Sequence, residues 1–327
     1  MLSGAGTSSF AGQILAPVLS RELRRRVDAL ATTDIVSNPR ECLAEGTPTL
    51  LVSFARSGDS PESLAATQIA EQFLPDCFHL VLTCNNEGAL YRRHQGCERS
   101  LVLLMPQDAN DQAFAMTSSL TCMMLAALLT LGNVSPDPGG VLVGRLSSAT
   151  HELLPRLAEE TRRLADGNFH RVVYLGSGPL NGLARESALK LLELTAGRVV
   201  GYFDTPLGFR HGPKSVLDDA TLVVVYVSND PYTRQYDLDM IEELHGVLKP
   251  GNIIAITARA EDRLPKDGVW QIRGLDDLHD AALAIPFVVC AQMLALHFSL
   301  ALGKTPDDPF PAHEVNRVVQ GVRIHAL

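Results

Sequence analysis

The sequence is poor in basic residues and lacks the basic patch by which proteins bind nucleic acids or anionic membranes. Its 327 residues include 28 Lys and Arg against 37 Asp and Glu, which gives a net charge of −9 and a pI near 5.6. Polyanions require clustered positive charge, and the basic cluster at residues 24–26 is typical of a solvated helix face. We expect no nucleic acid and no membrane as partners. A phosphate ligand would have to be held largely by hydroxyls and backbone amides.

The cysteines form no CxxC pair and have no metal-finger spacing. There are six of them: Cys42, Cys77, Cys84, Cys97, Cys122 and Cys290. Such scattered thiols fit neither a disulfide framework nor a zinc motif. We therefore expect reduced thiols in a cytoplasmic protein, with no metal and no cofactor.

Long hydrophobic runs are rare, and residues 281–302 are the exception. This run is long and apolar enough to raise the question of a membrane span. It also contains Pro286, Gln292 and His297 and follows an acidic run. We therefore predict a helix buried between domains or between subunits.

Strand-like and helix-like segments alternate along the chain, which is typical of α/β folds. We predict strands at residues 50–54, 79–83, 100–105, 171–175, 222–227 and 252–257, and helices at 13–31, 114–131, 144–166, 237–248 and 281–302. This alternation predicts parallel sheets covered by helices on both faces.

The pattern occurs twice, with Gly4-Ala5-Gly6 and Gly176-Ser177-Gly178 at equivalent places, and this indicates a tandem duplication of one α/β unit. The segment SPDPGG, residues 135–140, is typical of a linker. We predict a first domain at 1–133, a linker at 134–150 and a second domain with a C-terminal tail at 151–327. Only Met1 and Leu2 precede the first glycine turn, so either the strand that leads into it is very short or the N-terminus is truncated, and we expect truncation.

Three glycine turns could hold a phosphate: residues 4–9, 56–60 and 176–178. A lone glycine turn is weak evidence, because many α/β proteins use one only to join a strand to a helix. The second turn is more specific. Arg56, Ser57 and Ser60 place a cation and two hydroxyls just after a strand, where α/β sheets bind ligands. The alternative for the serines is helix capping, which is less favoured for Ser57 and equally compatible with Ser60.

Glu186, Lys190 and Glu193 are spaced at i, i+4 and i+7, so they share one face of a predicted helix. A solvated stripe with one ion pair would explain this spacing. However, leucines at positions 189, 191, 192 and 194 surround the charges, which indicates partial burial. A carboxylate in such surroundings is a candidate for proton transfer.

The segments ESALKLLEL and FRHGPKSVLDD resemble the second half of a pair of sugar isomerase (SIS) domains. They are similar to the isomerase part of glucosamine-6-phosphate synthase and closer still to AgaS-type deaminase/isomerases. The resemblance implies two tandem SIS domains, with Glu193 as the proton-transfer base and His211 assisting ring opening. It gives Glu186 and Lys190 supporting roles, and it implies a homodimer with a site shared between subunits.

The loop at residues 56–60 also resembles the SIS loop that holds the sugar phosphate. Carried over by position, Thr7, Ser8, Ser57 and Ser60 would contact the phosphate. Ala55 stands at the family's first loop serine, so that contact is not supported. Arg317 stands where the synthase has a Schiff-base lysine and cannot replace it, because a guanidinium does not deprotonate readily. Lys304 and His313 receive no role.

The expected function is therefore that of an aldose/ketose isomerase with deaminase activity on a small-molecule sugar phosphate. The resemblance favours conversion of galactosamine 6-phosphate to tagatose 6-phosphate and ammonia. A sugar-phosphate isomerase without deamination is the nearest alternative. A non-catalytic sugar-phosphate sensor is another, although such regulators commonly carry a basic DNA-binding segment that is not seen in this sequence.

Overall fold

A computed structural model describes residues 1–43, 46–132 and 140–327. The chain forms two compact units, one of Met1–Asn133 with Phe310–Leu327 and the other of Val134–Pro309. Most of the predicted linker motif at 135–140 lies outside the described residues. The C-terminal part of the predicted linker, up to residue 150, is helical, because a long helix begins at Val141.

The first unit contains a five-stranded sheet in which every pairing is parallel, in the order β2-β1-β3-β4-β5. Its strands are β1 Leu2–Gly4, β2 Ala29–Ala31, β3 Thr49–Ala55, β4 Cys77–Thr83 and β5 Ser100–Leu104. Its helices are α1 Thr7–Leu23, α2 Thr32–Ser37, α3 Pro39–Cys42, α4 Pro61–Phe73, α5 Ala89–His94 and α6 Ser118–Leu131.

The second unit contains another five-stranded parallel sheet, in the order β10-β9-β8-β6-β7. Its strands are β6 Arg171–Gly176, β7 Val200–Asp204, β8 Thr221–Tyr226, β9 Ile253–Thr257 and β10 Val269–Gln271. Its helices are α7 Val141–Ala165, α8 Pro179–Leu194, α9 Pro206–Phe209, α10 Thr233–His245 and α11 Asp280–Ala301. Read from β7, the strand order matches that of the first unit strand for strand.

The predicted α/β class, with parallel sheets flanked by helices, is confirmed. Strands β3, β4, β6, β8 and β9 were found from sequence because they are buried apolar runs, as central parallel strands must be. The sequence missed β2, β7 and β10. These are short edge strands with largely half-buried residues, so they carry no continuous apolar signal.

The first strand, β1, is only three residues long. The sequence left a very short strand open beside the favoured truncation. A three-residue strand nevertheless forms, because Ser3 and Gly4 of the turn extend it, and it pairs with both β2 and β3. Helix α1 begins at Thr7 rather than near residue 13, so the glycine turn leads directly into the helix.

Among the described residues, one helix, α11, is long and apolar enough by length and composition to cross a membrane. However, 72% of its most apolar window is buried within the protein. It packs against α7 and α8. It is therefore a core helix of the second unit, whereas the sequence predicted burial between domains or subunits.

The C-terminal tail belongs with the first unit, although the sequence assigned residues 151–327 to the second domain. The ring of Phe310 contacts Phe114 at a centroid distance of 5.2 Å. The backbone carbonyl of Arg317 accepts a hydrogen bond of 3.1 Å from the guanidinium of Arg56. The sequence could not show these contacts, because they join residues 196 and 261 positions apart.

Candidate active site

The strand order places two loops side by side at the carboxyl edge of the first sheet. In parallel sheets of the order 2-1-3-4-5, ligands bind at the point where the strand order reverses, between the first and third strands. In this unit those strands are β1 and β3. Residues Thr7 and Ser8 follow the first, and the loop at residues 56–60 follows the second. The fold therefore brings two of the three predicted phosphate turns to one edge.

The turn after β1 is tightly packed against the start of α1. A Cβ atom on Gly4 would lie 2.5 Å from the Cβ atom of Ser8, so only glycine fits there. Thr7 and Ser8 are buried in the first helical turn, and the described helix α1 has no acidic residue in that turn. The Ser8 hydroxyl lies 3.9 Å from the Met116 sulfur. A helix start of this kind, without an internal carboxylate, suits an anion.

Arg56 is buried and holds the neighbouring backbone. Its guanidinium donates hydrogen bonds to the carbonyl oxygens of Phe114 at 3.0 Å, Ala113 at 3.4 Å and Arg317 at 3.1 Å. The sequence predicted a phosphate contact for this cation. That contact stays a prediction, and the structure shows that the guanidinium also ties the loop to two other segments of the unit.

Ser57 is half-buried and is fixed by its backbone. Its carbonyl oxygen accepts a hydrogen bond of 2.9 Å from the Asn85 amide, and its hydroxyl oxygen accepts one of 3.3 Å from the Asp59 N–H. Ser60 is the residue before α4, where a side chain could cap the helix. Among the described residues it makes no such capping bond, so capping does not explain this serine.

The third predicted turn, at residues 176–178, is filled by the protein itself. The hydroxyl of Ser177 donates a hydrogen bond of 2.6 Å to Asp237, and the N–H of Ser228 donates one of 2.9 Å to the same carboxylate. Asp237 is the fifth residue of α10. The fifth residue of α4, at the corresponding place in the first unit, is Ala65. The second unit thus has a carboxylate, Asp237, at a position where the first unit has the small apolar side chain of Ala65.

Asp237 is fully buried, and this affects its protonation. Burial raises the pKa of the carboxyl group to about 7, although the hydrogen bonds from Ser177 and Ser228 act in the opposite direction. Asp280 lies on the other side of Ser228 and accepts its hydroxyl hydrogen bond at 2.5 Å. Burial also raises the pKa of Asp280. Two acids therefore support this end of the second sheet from inside.

Helix α8 carries the predicted acid and base residues, and it brings all three together. Lys190 is fully buried, and its ammonium lies 3.5 Å from the carboxylate of Glu186, which is also fully buried. The same ammonium donates a short hydrogen bond to the carboxylate of Glu193. The Glu193 side chain is 23% exposed. The Glu193 carboxylate is thus oriented by the buried ammonium of Lys190 and remains partly accessible to solvent.

His211 lies on an exposed turn between α9 and a short 3-10 helix that begins at Pro213. Gly212 has a φ of 116°, which a side chain would strain, so the turn requires glycine here. Within the described part of the second unit, His211 makes no hydrogen bond to Glu193.

The flanks of this turn are held by a residue that the sequence did not indicate. Arg210 donates a hydrogen bond of 2.7 Å to the carboxylate of Glu243, and Lys214 donates one to its other oxygen. Salt bridges of this type lower the pKa of Glu243, with the hydrogen bond from Lys214 as the main cause. Glu243 is on α10, 29 to 33 residues away, so no local motif points to it.

Asp111 is a second residue that the sequence missed. Its carboxylate accepts hydrogen bonds from the backbone or hydroxyl groups of Thr117, Ser118 and Ser119, which form the start of α6. Burial alone would raise the pKa of Asp111, but these bonds outweigh it and the pKa is lowered. The start of α6, which was predicted at residue 114 and lies at Ser118, is therefore capped from the preceding loop.

Arg317 is exposed, and its guanidinium is hydrogen-bonded to the preceding part of the unit. Its guanidinium donates hydrogen bonds to the carbonyl oxygens of Ala113, at 3.1 Å, and of Asp111. Together with Arg56 it fixes the segment that precedes α6.

Comparison with known proteins places the chain in a class. The SIS domain family matches residues 1–131. An AgaS protein of Streptomyces coelicolor is 56% identical over 100% of this chain and 85% of its own length. D-galactosamine-6-phosphate deaminase AgaS of Shewanella sp. (strain ANA-3) is 43% identical over 99% of this chain and 81% of its own. The crystal structure of tagatose-6-phosphate ketose/aldose isomerase from Escherichia coli superimposes with a TM-score of 0.88 at 42% identity, covering 99% and 85% of the two chains.

These observations define a protein of the sugar isomerase (SIS) class. They are the two parallel sheets, the helix start without an acidic residue after β1, and the family match over residues 1–131. The identity extends over the whole chain and most of each relative. Within that class, the chain belongs to the AgaS family.

Proposed function

We propose that this protein is an aldose/ketose isomerase-deaminase that acts on an amino sugar phosphate, with D-galactosamine 6-phosphate as the substrate. Membership of the AgaS family supports the activity. The observation that carries the assignment within the chain is the Lys190–Glu193 pair, a partly exposed carboxylate oriented by a buried ammonium. Such a group can move a proton between neighbouring carbons without a metal.

The reaction follows from this pair. His211 assists opening of the sugar ring, as imidazole can transfer protons near neutral pH. Glu193 then takes the proton from C2 of the open-chain amino aldose and returns it to C1, leaving an imine at C2. Water adds to this imine, and the C–N bond breaks. One substrate and one water thus give tagatose 6-phosphate and one ammonia.

The phosphate is assigned to the first unit. Thr7, Ser8, Ser57 and Ser60 lie at the edge where such folds bind ligands, and Arg56 keeps the loop in place through backbone carbonyls. The corresponding turn of the second unit already holds Asp237, which a phosphate would have to displace. The contrast supports a division in which one unit binds the phosphate and the other carries the base.

The two units act as tandem SIS domains in this proposal, and the working form is a cytoplasmic homodimer in which one substrate uses residues of both subunits. The exposure of His211 supports this arrangement, since an imidazole without a bond to Glu193 in its own unit can serve a neighbouring subunit.

Ammonia release tests the proposal. Purified protein incubated with D-galactosamine 6-phosphate should release one ammonia for each tagatose 6-phosphate formed. Glu193→Gln should slow turnover about 10²-fold or more while the substrate still binds. Glu242→Gln is a matched control, because Glu242 is an exposed acid paired with Arg263 on the surface.

The same assay separates the nearest alternative. If the protein interconverts aldose and ketose phosphates but releases no ammonia from a bound amino sugar phosphate, it is an isomerase without deaminase activity. Binding with no turnover of either kind of substrate would indicate a sugar-phosphate sensor.

A further inference from the structure

A second cluster of chemically active side chains lies in the first unit, away from the loops described above. Cys77 and His79 are the first and third residues of β4, so they lie near its amino end and point to the same face. Glu71 is on α4 and His94 ends α5. The phosphate loops follow the carboxyl ends of β1 and β3, so this cluster lies at the opposite edge of the sheet.

The two histidines are buried with incomplete hydrogen bonding. His79 and His94 are 4% and 2% exposed, and their ring centroids are 4.5 Å apart. Nε2 of His94 is buried without a hydrogen-bond partner among the described residues. Buried polar atoms of this kind cost free energy unless something binds them. Both rings border a cavity of about 340 Å³.

The distances in the cluster match those between ligands of one metal ion. One ligand atom each from Glu71, His79 and His94 lies within 4.8 Å of the other two. Nε2 of His79 is 3.4 Å from the Glu71 carboxylate and 3.7 Å from the Cys77 sulfur. Tetrahedral zinc with its usual bond lengths separates nitrogen and oxygen ligands by about 3.4 Å and nitrogen and sulfur ligands by about 3.6 Å.

The groups around the cluster orient the side chains as metal ligands require. The Nδ1 atom of His94 is 2.9 Å from the hydroxyl of Ser100, so an Nδ1–H tautomer would leave the lone pair of Nε2 for a metal. Glu71 directs one oxygen at His79 and holds Arg93 with the other, at 2.5 Å. Carboxylates that bind a metal are themselves hydrogen-bonded by a second group, and Arg93 supplies such a group here.

Two positive side chains line the same cavity, and both are engaged by other groups. Arg93 is paired with Glu71. Arg99 donates a hydrogen bond of 3.0 Å to the Pro75 carbonyl and lies 5.5 Å from the centroid of the Phe78 ring.

We propose that Glu71, His79 and His94 bind a Zn²⁺ ion, with the Cys77 thiolate as the fourth ligand. Imidazole, carboxylate and thiolate together suit zinc better than magnesium or calcium, which prefer oxygen ligands. The ion joins α4, β4 and α5 at the edge remote from the proposed chemistry, so its role is structural. The sequence shows no zinc motif because these ligands come from three separate elements.

The amount of Zn²⁺ bound per chain tests the proposal without depending on enzyme activity. Protein treated with a chelator, desalted and titrated with ZnCl₂ should bind one Zn²⁺ per chain. Glu71→Gln and His94→Gln should each weaken binding about tenfold or more, and Ser100→Ala, which removes only the partner of His94, should weaken it about tenfold. His151→Gln is the control, because His151 is exposed on α7 in the other unit.

Circular dichroism should show that each variant is folded. If His94→Gln does not fold, Glu71→Gln and Ser100→Ala still test the proposal. We expect both variants to fold, because the Glu71 side chain is 40% exposed and Ser100→Ala removes a single hydroxyl group. Wild-type protein that binds no Zn²⁺, or binding that is the same in Glu71→Gln, Ser100→Ala and His151→Gln, would overturn the proposal.

Discussion

The ammonium of Lys190 is fully buried and holds the carboxylate of Glu193 three residues further along α8, where that side chain is 23% exposed. The same ammonium lies 3.5 Å from Glu186, so one cation serves two acids. Without the cation, two carboxylates would face each other in a largely dry environment, which is strongly unfavourable. Lys190 therefore both stabilises the helix position and orients the proposed base.

Replacing this cation should damage stability and activity together. Lys190→Met keeps the length of the side chain but leaves both acids without the ammonium, and breaking a buried pair in this way costs about 3–5 kcal/mol. Urea unfolding should show this loss, and turnover should fall as well. Lys249→Met is the control, because Lys249 is 71% exposed and a surface pair contributes about 0–1 kcal/mol. Equal stability of Lys190→Met and wild type would contradict the buried role.

The two glycine-turn serines should respond differently to loss of their hydroxyls. Ser57→Ala should raise KM for the sugar phosphate about tenfold or more with a smaller effect on kcat, since a hydrogen bond to a charged group contributes about 1.5–3 kcal/mol. Ser177→Ala should leave KM near the wild-type value, because the Ser177 hydroxyl is bound to Asp237. It should instead lower the free energy of unfolding. A larger rise of KM in Ser177→Ala than in Ser57→Ala would reverse the assignment of the phosphate.

Asp237 should make the protein less stable as the pH rises. The pKa of its carboxyl group is 3.8 in an ordinary environment and about 7 in the folded chain. Between those values the folded chain keeps a proton that the unfolded chain has lost. Stability therefore falls with increasing pH across this window, by up to about 1.4 kcal/mol per pH unit.

Asp237→Asn removes that titration and can keep both contacts, because the amide can accept from Ser228 and donate to Ser177. Urea unfolding at pH 5, 6 and 7 should therefore give a smaller loss of stability in the variant than in the wild type. Asp280, whose pKa is also raised, titrates in both proteins, so only the difference between the two curves reports Asp237. Parallel curves would show that the buried carboxyl does not titrate in this range.

Glu243 should affect catalysis through the turn that carries His211. Glu243→Ala removes the acceptor shared by Arg210 and Lys214, so the turn loses both of its anchors. We expect kcat to fall several-fold, and Glu243→Gln, which can still accept one hydrogen bond, to recover part of the loss. Because the pair is partly exposed, stability should change little. An unchanged kcat in Glu243→Ala would show that the ion pairs do not position His211.

The sequence predicted the central strands and the α8 cluster because both are local patterns. An apolar run of five or six residues identifies β3 or β8, and the i, i+4, i+7 spacing places Glu186, Lys190 and Glu193 on one face. The spacing did not show that Glu186 and Lys190 are fully buried while Glu193 is partly exposed, since that depends on α11 packing against α8.

The remaining features depend on contacts between distant segments. Asp237 fills the turn of Ser177 from sixty residues away, and Glu243 holds the His211 turn from another helix. Arg56 looked like an anion-binding cation because its loop follows a strand, yet its guanidinium is bound to backbone carbonyls. The spacing of a motif does not reveal which of its polar atoms the rest of the chain will bind.

A crystal structure of the Glu193→Gln variant with D-galactosamine 6-phosphate tests most directly whether the first unit binds the phosphate while the second carries the base. The account predicts the phosphate within hydrogen-bond distance of the Ser57 hydroxyl and the first N–H groups of α1, and C1 and C2 of the sugar about 3 Å from the side chain at position 193. A phosphate bound in the Ser177 turn, or C1 and C2 remote from position 193 in every subunit, would contradict it.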